Sequence, residues 1–481
     1  MTEKHNPKLK SELGLFTTVA IVVGAVIGSG IFKKPAIMAS QVGSTKLLLA
    51  IWVIAGLITL FGALTNSEVA GLISETGGQY IFFQKMYGEF VAFLYGWAIF
   101  IVIQTGSIAS ITYVFAEYTQ YFVHLPRLPV EIENSFIIHI PYIGNILPLE
   151  NLGVKALTII IVMLLTLINY YGVRFGGTIS SFFSSSKVLI ILFFVLVALI
   201  FTNGSVSNFS SVLPASEMGN SNIFLGIVAA MSGAFWAYDG WNNVTYLAGE
   251  IKEPQVNIPK GLFLGTVIVI IVYLLINIAY IYVLPINEMA KSTLVAADAA
   301  TRVLGSIGGG FVAAAVMIST FGTSNGTIMA SARVYYAMSN RGMFFKSIGK
   351  SHIKYLTPAN ALWLQAVWTA ILVLSGTFDI LTDMLIFVSW IFYMLGAAGI
   401  FILRKKMPDA HRPYRVFGYP YIPIIFIIFA FFFVIFTIYS DLIGYIEGRY
   451  RIINSLFGLM LLSTGIPFYF IFKKYFKTKL E

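Results

Sequence analysis

The chain of 481 residues is 58% hydrophobic and only 11% charged, less than half the roughly 25% charged share of soluble domains. That leaves too little polar surface for a soluble protein, so most of the chain faces lipid or protein. The net charge of +10 does not mark a nucleic-acid partner, because the lysines and arginines sit in short loops and form no continuous basic face. With no cysteine, disulfides, thiolate metal sites and thiol nucleophiles are excluded.

Residues 1–13 form a polar tail without a signal-peptide cleavage pattern. Segments of about 20 apolar residues, enough to cross a bilayer, follow near 14–40, 46–73, 89–121, 153–172, 177–202 and 221–249. Six more lie near 260–284, 308–339, 359–377, 380–404, 421–440 and 451–473, and a tail at 474–481 closes the chain. The long apolar stretch 356–403 must be divided near Thr377–Asp379 to give two spans. Twelve spans are therefore expected. Loops holding Lys252, Lys260, Arg341, Lys346, Lys350, Lys354 and the run from Arg404 to Arg415 alternate with loops poorer in cations, such as those of Lys46, Arg127, Lys155 and Lys291. The bias places both termini in the cytoplasm of a multi-pass protein in the plasma (bacterial inner) membrane.

Nothing in the loops reads as an enzyme. The histidines at 5, 124, 139, 352 and 411 are scattered, and no zinc-protease helix, phosphate-cradling loop or nucleophile elbow occurs. No metal or organic cofactor is expected. Such a bundle moves a solute, with channel, receptor and scaffold as the other readings.

The first span contains "VVGAVIGSGIF", with Gly24, Gly28, Ser29 and Gly30 in its middle. Small residues at this spacing allow close helix packing. They also suit an unwound segment, which a membrane tolerates only where protein, water or ligand takes the freed backbone groups. The sixth span, "GAFWAYDGWNNVTYLAGEIKEP", carries Gly233, Trp236, Tyr238, Asp239, Gly240 and Trp241. An aspartate at this depth is costly and lines an aqueous path or finds a partner. Interruptions five spans apart point to inverted repeats whose two broken helices meet at a midplane site. A half-helix N-terminus there suits a carboxylate, and facing half-helix carbonyls suit an ammonium, so one site can hold both ends of an amino acid.

These segments resemble the amino acid–polyamine–organocation (APC) superfamily, and within it the L-type amino acid transporters, among them bacterial serine/threonine exchangers. "ETGGQYIF" after span two, "LINYYGVRFGG" after span four, "FGTSNGTIMASARVYYAMSNRG" at span eight and "RPYRVFGYP" before span eleven extend the likeness over about residues 11–472. The resemblance implies an all-α fold with a ten-helix core at 14–404. Its inverted repeats would be 14–202 and 221–404, with discontinuous first and sixth helices, and 421–473 would be added outside the core. It implies sodium-independent exchange of neutral L-amino acids by alternating access. A proton- or sodium-coupled importer of amino acids or polyamines is the alternative, and an amino acid sensor is the rival from another class. No disulfide-linked accessory subunit is expected of a chain without cysteine.

By position, the resemblance gives the substrate carboxylate to Gly28, Ser29 and Gly30, and the amine to carbonyls near Ile27, Trp236 and Asp239. Trp236 closes over the substrate, and Tyr238 joins the binding set. Asn325 lines the pocket or bonds to the interrupted backbone, with an interhelical packing bond as the plain reading. Lys187 reaches behind the first broken helix in place of a sodium ion, with snorkelling to the interface as the plain reading. Lys33 repels cationic substrates, pairs with a distant acid, or snorkels. Glu75 to Tyr80, Arg333 and Arg341 to Gly342 belong to gates and structural contacts.

Overall fold

A computed structural model describes residues 13–75, 77–171, 173–200, 204–214, 222–355 and 357–477; the side chains of 173–186 and 475–477 lie outside the description. Most of both predicted tails and the side chain of Arg174 therefore fall outside it. Backbone groups in lipid must be satisfied internally, and the apolar runs accordingly fold as helices. Among the described residues the named strands are one hairpin, Ile138–Ile140 with Gly144–Ile146.

Helices α1 (Leu15–Val26) and α2 (Gly30–Val42) share the first span and bend by 42° at its break. The chain continues through α3 (Thr45–Leu72), α4 (Gln79–Tyr87), α5 (Glu89–Thr119), α6 (Leu152–Tyr171) and α7 (Val173–Ile200). The sixth span is α8 (Ile223–Tyr238), a break at Asp239–Gly240, and a 3-10 segment, Trp241–Glu250. Next come α9 (Pro254–Val283), α10 (Val295–Asn340) and α11 (Ala359–Ser375). The last three are α12 (Phe378–Lys406), α13 (Tyr421–Ile446) and α14 (Asn454–Lys474). Among the described residues nine helices are long and apolar enough to cross a membrane, and the bent α1–α2 pair adds a tenth span. Two shorter apolar helices, Lys187–Ile200 within α7 and α11, lie at the predicted fifth and ninth spans.

Local chemistry sets several boundaries. Gly43, at φ +58, ends α2 in the left-handed conformation that favours glycine. Asn222 caps α8 by accepting from the Phe224 N–H at 2.9 Å. α10 begins well before the predicted edge at 308, because the preceding loop is itself helical and turns at Gly305, φ +70. In α5 a π-turn at Ile99–Ile103 precedes Gln104; such turns re-aim the side chains that follow.

α9 packs along α3 and α1, α10 along α5 and α7, and α2 against α8. One side of the bundle carries the hairpin and the other carries the loops near the chain termini. On the hairpin side, Lys155 is buried at the start of α6 and donates to the carbonyls of Leu147 (2.8 Å), Pro148 and Leu374 (both 3.4 Å). The interior ammonium thus ties the hairpin to the end of α11. On the terminal side, buried Glu68 of α3 accepts a bidentate pair from Arg404 (2.9 and 2.7 Å) and meets Arg412 at 3.3 Å. It also accepts from the Val416 N–H at 2.7 Å, so "RPYRVFGYP" is pinned under α3 by one carboxylate.

Candidate functional site

The two broken spans touch at their breaks. Ile27 ends α1 with φ −71 and ψ 86, and Ser29 opens α2 as its N-cap. The first N–H groups of α2 thus lack intrahelical partners and sit at a positive dipole end. A Cβ on Gly30 would stand 2.5 Å from Cα of Ala237, and one on Gly240, at φ +96, would stand 3.0 Å from the Ala25 carbonyl oxygen. Both glycines are therefore required for the backbones to meet. Gly28 is less constrained, since a Cβ there would make only ordinary contact at 3.7 Å with Thr323.

Carbonyls released by the breaks are taken by side chains. The Tyr273 hydroxyl lies 2.9 Å from the Val26 oxygen and 2.8 Å from the Ala237 oxygen, sharing one proton between the two spans. Lys187 is 3% exposed, too buried for snorkelling. Its Nζ donates to the Gly24 carbonyl at 2.5 Å and to Oγ1 of Thr323 at 3.1 Å, linking α7, the end of α1 and α10.

A small cavity lies between the breaks, lined by Gly28, Ser29, Gly30, Trp236, Asp239 and neighbours from α5 and α10. Ser29 Oγ and Trp236 Nε1 are buried in its wall with no hydrogen-bond partner among the described residues. Both polar atoms are free to bond water or a ligand in the cavity. Gln104, Asp239 and Asn243 also line a second small pocket toward the terminal side, with Tyr95, Tyr246, Ser389 and Tyr393 in its wall. Asp239 accepts a 2.5 Å bond from the Tyr393 hydroxyl, and Ser389 Oγ likewise has no hydrogen-bond partner among the described residues.

Three expected site residues, Tyr238, Asn325 and Ile27, lie outside the cavity linings. Tyr238 turns away from the cavity and donates to the Trp52 carbonyl at 3.2 Å, packing edge-on to Trp52 and beside Tyr273. One residue before Asp239 on a helix faces a different side, which explains the error. Asn325 is also outside both linings, and its Oδ1 accepts from Nδ2 of Asn169 at 2.7 Å. Its role there is an interhelical bond between α10 and α6. Ile27 is fully buried and lies outside both linings. Lys33 pairs with Glu117 at 2.8 Å. Arg341 donates to Gln84 Oε1 at 2.9 Å, and Arg333 to the Met329 carbonyl.

The sequence reading missed Tyr273, Gln104, Asn243, Ser389 and Tyr393. Gln104 could have been found as an amide deep in an apolar span, and Asn243 lies in the quoted sixth segment. The tyrosines carried no signal, because tyrosine is common throughout this chain.

The profile of the amino acid permease family matches residues 13–461. The chain belongs to that family. It is 30% identical to the serine/threonine exchanger SteT of Bacillus subtilis (strain 168), over 97% of this chain and 98% of that protein. It is 29% identical to the b(0,+)-type amino acid transporter 1 of Mus musculus, covering 98% of this permease and 90% of the relative. To the large neutral amino acids transporter small subunit 2 of Homo sapiens it is 28% identical, over 96% and 80%. The permease is thus a multi-pass membrane protein of a transport family.

Proposed function

We propose that this permease exchanges neutral L-amino acids one for one, without sodium, by alternating access to the cavity between the two broken spans. The observation that carries the reading is Lys187, whose ammonium occupies the back of the α1 break at the Gly24 carbonyl and Thr323. A fixed cation there serves the released carbonyl without a sodium ion. Ser29 and the N–H groups of α2 receive the substrate carboxylate, the carbonyl ends of α1 and α8 receive its ammonium, and Trp236 closes over it. Asp239 disfavours acidic side chains in the second pocket, because a carboxylate in low dielectric repels another. The names of two relatives, a serine/threonine exchanger and a large neutral amino acids transporter subunit, support the substrate class.

The repeats at 14–202 and 221–404, the cytoplasmic termini and residence in the plasma membrane belong to the same reading, as does function without an accessory subunit. Uptake of labelled neutral amino acids into liposomes tests it. Fast uptake is expected only when unlabelled amino acid is loaded inside, and replacing sodium by a large organic cation should leave the rate unchanged. Equal uptake into empty liposomes ends the exchange claim, and acceleration there by a proton gradient replaces it with proton coupling.

A further inference from the structure

Above the cavity, on the hairpin side, lies a charged cluster that binding and sodium independence do not use. Lys34, one turn into α2, is 2% exposed, and its Nζ meets Asp379 of α12 at 2.7 Å and Asp383 at 3.8 Å. The same Asp383 accepts from Ser232 of α8 at 3.1 Å. Both half-helices that follow or precede a break on this side are therefore fastened to the first turns of α12. The stem of Lys34 lies against Gly233, where a Cβ would stand 3.3 Å from its Cδ. Its ammonium also sits 4.8 Å from the Phe378 ring centroid, and that ring meets Trp236 edge-on at 6.2 Å. Trp236 lines the cavity and follows Ser232 by one helical turn.

The arrangement is a layered closure: cavity, Trp236, Phe378, then the ion pair. An ammonium withdrawn from water needs a partner, while Asp379 and Asp383 stay 45% and 30% exposed, within reach of water from the hairpin side. If α2 swings away from α12, Lys34 and both carboxylates can be hydrated, so the pair has a solvated alternative that a core ion pair lacks. Lys33, its neighbour on α2, pairs separately with Glu117 of α5.

We propose that Lys34, Asp379, Asp383 and Ser232 form an electrostatic latch that holds the hairpin-side gate shut. Lys34 is a positioning residue: it acts on the substrate path through Phe378 and Trp236 and touches no substrate. The inference goes beyond the proposed exchange and holds whichever solute is carried.

The absence of native cysteine allows a direct test in the full-length protein. Ser107→Cys places a thiol in the cavity wall, and a membrane-impermeant maleimide is applied to each face of membrane vesicles. Tyr142→Cys, on the 94% exposed hairpin tyrosine, reports separately which face carries the hairpin. Without substrate, Lys34→Gln and the double variant Asp379→Asn, Asp383→Asn should each raise Ser107→Cys labelling from the hairpin side about tenfold, the population shift expected when a charge-assisted bond holding one state is lost. Lys34→Arg should stay near the parent rate. Parent-like labelling in both charge-removing variants overturns the latch, and so does a rise from both faces, which signals general loosening. If Lys34→Gln fails to elute as folded protein, the double aspartate variant decides alone. Failure of amino acid exchange in the parent would refute the proposed function and leave this labelling result standing.

Discussion

The cavity is closed by different chemistry on its two sides. Toward the hairpin the closing contacts are ionic: Lys34 with Asp379 and Asp383, and Lys33 with Glu117. Toward the termini the deep contacts are mostly hydroxyl bonds. Tyr95 donates to Gln79 at 2.6 Å, lies 2.7 Å from the Tyr246 hydroxyl, and is wedged between Phe83 and Phe392. Tyr393 bonds Asp239 at 2.5 Å. Full charges are long-ranged and gain hydration on opening, whereas hydroxyl bonds are short and exchange readily with water. The two sides thus differ in what opening would expose, full charges toward the hairpin and tyrosine hydroxyls toward the termini.

Four substitutions would break or sharpen that contrast. The largest effect belongs to the point both sides share. Gly30→Val drives a side chain into the Ala237 backbone, and amino acid binding should fall at least about 100-fold, or about 2.8 kcal/mol. Equilibrium binding on protein that still elutes as a folded species measures it, and normal affinity would reduce Gly28 to Gly30 to a packing motif. Next comes Lys187→Met, which strips the charged donor from the Gly24 carbonyl. Losing a charged hydrogen bond costs about 1.5–3 kcal/mol, so exchange should slow about 10- to 100-fold in liposomes. Restoration of the rate by sodium would support the substitution of lysine for an ion, while an unimpaired rate removes Lys187 from the mechanism.

Tyr393→Phe should act on one side only. With the bond to Asp239 gone, labelling of Ser107→Cys from the terminal side should rise about tenfold, the counterpart of about 1.4 kcal/mol, and labelling from the hairpin side should not. A rise from the hairpin side would merge the two gates into one. The smallest effect is expected for Tyr238→Phe, which loses the bond to the Trp52 carbonyl outside the cavity. Stability should drop by about 1 kcal/mol in a thermal shift, with the half-saturating substrate concentration unchanged. A marked shift in that concentration would return Tyr238 to the binding set.

Much of this protein was legible before folding, and for identifiable reasons. Hydropathy marks spans because lipid leaves the backbone no alternative to helix. The breaks in spans one and six were legible because Gly28 to Gly30 and Asp239–Gly240 are out of place in an apolar run. Buried Lys187 stood out by the same logic. Tyr238 falls outside the cavity because a motif gives proximity along the chain, whereas lining a cavity depends on which side of the helix a residue occupies, and Asn325 makes the interhelical bond that was one of its expected readings. The lysine pair at 33 and 34 was visible, but its carboxylate partners are not its neighbours in sequence.

The sequence by itself determined a membrane-spanning helical chain with two interrupted spans and a lysine, Lys187, inside the fifth; the resemblance implied its place behind the first break, and the fold put it there. Each of these is a local cost in lipid, and local costs are written in composition and order. Only the tertiary structure decided that Tyr273 joins the two breaks, that Gln104 and Asn243 complete the cavity wall, and that Lys34 is fastened to α12. Those contacts join residues brought together by packing, so no pattern along the chain encodes them.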